Sequence, residues 1–230
     1  MAGHGIARRS ALGLLAGAAT LAVAGCGLLM STASFHYRMT VEGAVSGSAV
    51  YELLAERVNG PRLADETPGG SIILGEALVL ETPKGPVFVL LKSSRGGYDL
   101  KDAVLKALAP DWQQLDQPWG YAVANRLEDA REGEVKAALP RADWPLMVRF
   151  GDIRDPKTVE QVDPDTIGVK RIVLETTRAD VTTGIEKRLG WLGTINGSLT
   201  RRLASPDPAN PPFSARVHGR DFSTEIKHVK

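Results

Sequence analysis

The chain has little of most residues that announce chemistry. It holds one cysteine and four histidines among 230 residues. A single cysteine excludes an internal disulfide framework and a multi-cysteine metal site. No HExxH and no paired histidine spacing occurs, so a zinc-site signature is missing. The GxSxG elbow of many serine hydrolases is missing too, although a Ser-His-Asp triad needs no closeness in sequence. Charge of neither sign dominates, with 28 basic residues against 27 acidic ones. That balance gives no reason to expect a nucleic acid or another polyanion as partner. Internal repeats and low-complexity tracts are absent, and long apolar runs are confined to one place. The composition is that of an ordinary globular chain, not of a polytopic membrane protein.

The one apolar run is at the start. Residues 1–34 contain no acidic and no aromatic residue. Arg8 and Arg9 form a short basic region, an apolar stretch follows over 11–25, and it ends at the only cysteine, Cys26. This is the layout of a bacterial export signal. Val23-Ala24-Gly25-Cys26 resembles the lipobox of bacterial lipoproteins. The resemblance implies recognition through Arg8, Arg9, Val23, Ala24 and Gly25, and cleavage just before Cys26. It also implies diacylglycerol on the thiol and an acyl chain such as palmitate on the new amino terminus. Several chains anchor firmly where one alone anchors only marginally. With Cys26 lipidated no thiol is left as a nucleophile.

Two plainer readings compete. Residues 11–30 are just long enough to span a bilayer as an uncleaved helix, and Cys26 can be a chance cysteine in an ordinary signal. Arg8-Arg9-Ser10-Ala11-Leu12 also resembles a twin-arginine signal that lacks the usual Phe and Lys. Gly27, where Gram-negative lipoproteins kept in the inner membrane tend to carry Asp, favours the outer membrane, facing the periplasm. The expected layout is a signal peptide over 1–25, lipidated Cys26 and a tether over 26–34, and one periplasmic domain over 35–230. Loss of Arg8 and Arg9 turns the formal charge from +1 to −1. The 205 residues left are enough for a core that buries about 70% of the unfolded surface.

Phe35 to Glu42 alternates apolar and polar residues, the period of a half-buried strand. A turn over 43–47 and a β-branched start favour 48–58 as its hairpin partner over a short helix. Residues 71–82 read as one strand with a bulge at Gly75. After the Pro83-Lys84-Gly85 turn, 86–92 reads as a central strand because it is apolar on both faces. Further strands are expected over 134–140, 145–150 and 169–176. Asp99 is placed to cap a helix ending at Pro110, and 121–131 suggests a second. Asp155-Pro156 has the form of a helix start. Thr183 and Glu186 fit a capping box, with Ile185, Leu189 and Leu192 on one stripe. Four prolines make 205–212 a loop, and the tail is weakly strand-like. About seven strands, mostly hairpins, with three or four short helices on one face give an α+β fold built on antiparallel sheet.

Several stretches resemble a family of alphaproteobacterial envelope lipoproteins of unknown function: FHYRMTVE with SGSAV, LGEALVLETPKGPVFVLL, PLMVRFGDIRDPKTVEQVDPD and VKRIVLETTRADVTTGIEKRLGWL. Together they span most of 35–192. The family implies a signal or lipobox and a single periplasmic domain, and no catalytic residues. The chain departs from it in a short first turn, VEGAVSG, in a short link from Asp165 to Val169, and in Gly190 where a proline is usual.

The candidate sites each have an ordinary structural reading. Asp152, Asp155, Glu160, Asp163 and Asp165 cluster as a calcium site would, but their spacing matches no calcium loop, and caps and turns explain them better. His36, His218 and His228 have no sequence-local partner. Ser46-Gly47-Ser48, Pro68-Gly69-Gly70-Ser71 and Arg95-Gly96-Gly97 are turn chemistry. Trp112, Trp119, Trp144 and Trp191 are candidates for stacking on an envelope glycan, though core packing is their usual use. Lys187-Arg188 and Arg201-Arg202 form basic pairs suited to lipid headgroups or a solvated face. No cofactor or metal is expected. The favoured reading is a non-enzymatic binding or scaffolding module on a lipid anchor, with the membrane and other envelope proteins as partners. The alternatives are an envelope hydrolase and a carrier of an apolar ligand.

Overall fold

The computed structural model describes residues 30–60, 69–95, 100–195, 197–200 and 210–225. The export signal, Cys26, Asp99, Arg201-Arg202 and His228 lie outside the described residues.

Two antiparallel sheets dominate. β1 (Met30–Gly43) and β2 (Gly47–Val58) form a long hairpin with Tyr37 opposite Tyr51. β3 (Ser71–Leu74) pairs with β2, and β4 (Leu78–Leu80) with β5 (Val87–Ser93). β6 (Lys136–Ala138), β7 (Pro145–Phe150), β8 (Val159–Gln161) and β9 (Val169–Thr177) complete them. The strand orders are β3-β2-β1-β9-β6 and β4-β5-β7-β8. α1 (Leu100–Leu108) and α2 (Trp119–Leu127) are the two α-helices of the described residues.

Alternation sorts the side chains. Along β1, Phe35, Tyr37, Met39 and Val41 are buried, while the residues between them are half-exposed. Their buried face joins the apolar stripes of both helices and one face of the second sheet, including Leu80, Val87 and Val89. The other face of the second sheet makes a separate core. Phe88, Leu90, Leu146 and Val148 meet Leu189, Leu192, Val217 and Phe222 from the C-terminal segment. β5 is buried on both faces because it divides the two cores, which is why its sequence is apolar without alternation.

The expected antiparallel, β-rich α+β character is present, with corrections in detail. Among the described residues there are two sheets and nine strands, with two α-helices instead of three or four. Residues 30–34, read as tether, continue β1. The stretch 71–82 is not one bulged strand. At Gly75, with φ 137°, the chain leaves the first sheet and enters the second. The helix start at Asp155 is real as a cap, its carboxylate accepting from Lys157 N at 3.0 Å, but the helix is a single 3-10 turn over Pro156–Thr158. Ile185–Lys187 and Leu192–Thr194 form separate 3-10 turns, and no capping box closes on Thr183 and Glu186. Ile185 N donates instead to Glu76 Oε2 at 2.7 Å.

Tyr37 and Tyr51 stack at 5.3 Å between centroids in the first core. Both rings are fully buried, and the Tyr37 hydroxyl has no hydrogen-bond partner among the described residues. Burial raises both phenol pKa values above the ordinary range. An unpaired buried hydroxyl costs about 1–3 kcal/mol. Tyr37→Phe is therefore expected to leave stability unchanged or raise it by up to about 1 kcal/mol, as read by urea unfolding. A clear loss would mean that the hydroxyl is partnered.

Candidate functional site: the outer face of the first sheet

The same alternation that fills the core sends His36, Arg38, Thr40 and Glu42 of β1 to the opposite face, beside Glu52 and Leu54 of β2 and Glu175 of β9. Neither helix covers this side. One half of the face is a charge network. Arg38 Nη1 lies 2.9 Å from Glu132 Oε1 and 3.0 Å from Glu175 Oε1, and Lys136 Nζ lies 3.1 Å from Glu175 Oε2. Glu132 Oε2 also accepts from Thr177 Oγ1 at 2.6 Å and Arg178 N at 3.0 Å. Arg171 pairs with Glu42 at 2.7 Å nearby. After β9 the chain crosses this face to reach β2. His36 Nδ1 donates to Ala179 O at 2.7 Å, and Thr182 N donates to Val50 O at 3.0 Å.

The bonds from Thr177 and Arg178, and then Arg38, hold the Glu132 carboxyl down to about 2. Lys136 and Arg38 lower Glu175 as well. A carboxylate with a depressed pKa stabilises the fold above its ordinary value and stops doing so as pH falls through the folded value. The network is therefore expected to weaken as pH falls from about 4.3 to about 2. Carboxyl NMR titration should show Glu132 moving up toward its ordinary range in Arg38→Met. An unmoved titration would contradict the contact.

The other half of the face carries exposed apolar side chains among polar ones. Met30 lies opposite Val58 where β1 begins, and Leu54 lies opposite Ile72 farther along, with Thr32 and Glu56 in the row between the two pairs. A shallow pocket of about 230 Å³ lies beside Leu54, Glu56 and Ile72. Sequence reading missed this patch. Its signal was the register of SIIL against β2, which decides which isoleucine faces out, and spacing within one strand does not carry register.

The remaining candidates are dispersed. Asp152 pairs with Arg154 at 3.2 Å, and Asp155 caps its turn. Asp163 accepts from Asp165 N at 3.0 Å, and Asp165 lies 2.8 Å from Arg141. Arg149 pairs with Glu160. Among the described residues no three His, Cys, Asp or Glu side chains are grouped to hold a metal ion. His218 sits in a groove of about 380 Å³ with Ser71, Lys92 and Asp221. Asp221 Oδ2 accepts from His218 N at 2.9 Å and lies 3.5 Å from Lys92 Nζ, so that carboxylate caps a turn. Ser46, Gly47 and Ser48 lie where the hairpin turn leads into β2.

The tryptophans divide into two pairs. Buried Trp144 donates from Nε1 to Leu139 O at 3.0 Å, and Trp191, half-buried against the second core, donates from Nε1 to Ile153 O at 2.9 Å. Trp112 and Trp119 are half-buried, 4.9 Å apart between centroids, with Lys106 Nζ 4.8 Å from the Trp112 ring. Arg188 pairs with Glu81 at 2.7 Å.

No known family model, curated protein or solved structure matches the chain. No helix among the described residues is long and apolar enough to cross a membrane.

Proposed function

We propose that the chain is a non-enzymatic, lipid-anchored envelope lipoprotein that binds or scaffolds other envelope proteins through the outer face of its first sheet. The observation that carries this reading is the face itself. It is broad, uncovered by either helix, and divided into a half held by ion pairs and a half that exposes Met30, Leu54, Val58 and Ile72 among polar side chains. Uncovered faces with an apolar patch rimmed by polar residues mark interaction sites. The Val23-Ala24-Gly25-Cys26 string and the family resemblance support the lipid anchor and the periplasmic location, with the outer membrane favoured by Gly27.

A photo-crosslinker tests the reading in the full-length, membrane-inserted protein. Ser48 is exposed on the outer face, and Asp116 is exposed in the loop before α2. A reproducible adduct from position 48 that is absent from position 116 is the expected result. No adduct at position 48, or equal adducts at both, would contradict it.

A further inference from the structure

Met30 and Ile72 are the large apolar side chains that stand most exposed among the described residues, at 45% and 46%. Scattered exposed apolar residues are ordinary. These two are not scattered. Even-numbered positions of β1, β2 and β3 all face outward in this register, so Met30, Leu54, Val58 and Ile72 share one end of one face. The charges on that stretch are Glu52 and Glu56, while Arg57 turns away to lie 4.5 Å over the Tyr121 ring. Attraction to an anionic surface therefore has no basis here, and apolar contact does.

The chain itself says what covers the patch. Gly27, Leu28 and Leu29 separate Cys26 from Met30, and none of them carries a polar side chain. Four residues reach at most about 14 Å when extended. A lipid on Cys26 would hold Met30 within that distance of the bilayer, and the connecting residues are apolar where a stand-off tether would be polar. Interfacial segments bury their apolar face about 5–10 Å into the headgroup boundary.

We propose that Met30, Leu54, Val58 and Ile72 form a seat on a zwitterionic phospholipid surface. The seat presses the start of the β1–β2 hairpin against the bilayer and turns the charged half of the face outward. The proposal rests on the lipid-anchor reading above. It places Ser48 six residues along β2 from Leu54, about 20 Å away along the strand.

Single-cysteine variants Ile72→Cys and Ser48→Cys of the lipidated protein, labelled with an environment-sensitive fluorophore, test it in phosphatidylcholine vesicles. Cys26 is blocked by its lipid, so each label is unique. Headgroup-level quenching lipids should quench the label at 72 about twofold more than at 48 or better, given that insertion depth. Equal quenching in a chain whose mass shows the lipid overturns the seat alone. A chain with an unmodified Cys26 overturns the anchor reading and the seat with it. Shielding at 72 that precedes vesicle addition and grows with protein concentration assigns the patch to a second copy, and also overturns the seat.

Discussion

Phe222→Ala is expected to lower the unfolding free energy by about 3–5 kcal/mol, the usual cost of deleting a buried aromatic ring. Phe222 is fully buried and sits 5.9 Å from Phe88, 5.8 Å from Phe150 and 5.7 Å from Trp191 between ring centroids. Its ring closes the second core from the C-terminal side. Its carbonyl accepts from Ala77 N at 2.7 Å, which fastens that segment to the link between the sheets. Phe222→Leu keeps most of the volume and should cost less, about 1.5 kcal/mol. Urea unfolding followed by tryptophan fluorescence reads both. An alanine variant as stable as the parent would mean that the second core does not depend on its C-terminal cover.

Glu76→Ala is expected to cost about 2–3 kcal/mol, because buried N–H groups would lose their acceptor. Glu76 is 4% exposed and accepts from Ile185 N at 2.7 Å. It also bonds the Gly184 backbone and the Ser223 side chain. One carboxyl thus ties the crossing between sheets to two distant segments. Burial is the main cause that pushes its pKa up, with Glu186 adding to it, while the bonds it accepts pull the other way. The raised value means that the folded state holds the proton more tightly than the unfolded chain. Its stabilisation is full below the ordinary value of about 4.3 and declines as pH rises through the folded value. Glu76→Gln should remove that decline and keep an acceptor for Ile185 N. A decline that persists in the glutamine variant would place its source elsewhere.

Much of the sheet was legible because β1 alternates strictly from Phe35 to Glu42 and β5 does not alternate at all. The turns at Asp155 and Asp163 were legible because an Asp-Pro cap is a local device. The misreadings have non-local causes. Thr183 and Glu186 match a capping box, yet the donor at Ile185 is satisfied by Glu76, 109 positions away. Gly75 reads as a bulge within one strand, and only the partners on either side show that the strand changes sheets. The outer face was half legible. His36, Arg38 and Glu42 were assigned to the polar side of β1, but Ile72 and Leu54 became a patch only through pairing. Glu132 gave no local sign of its role, since its partners come from β1 and the end of β9.

On the proposed reading, lipid on Cys26 holds the domain at the envelope. Intact mass of the protein extracted with detergent from the membranes of its producing cell distinguishes the outcomes. The expected species begins at Cys26 and carries the mass of a diacylglycerol and a further acyl chain. A chain that retains residues 1–25, or one in which Cys26 reacts as a free thiol, would contradict it.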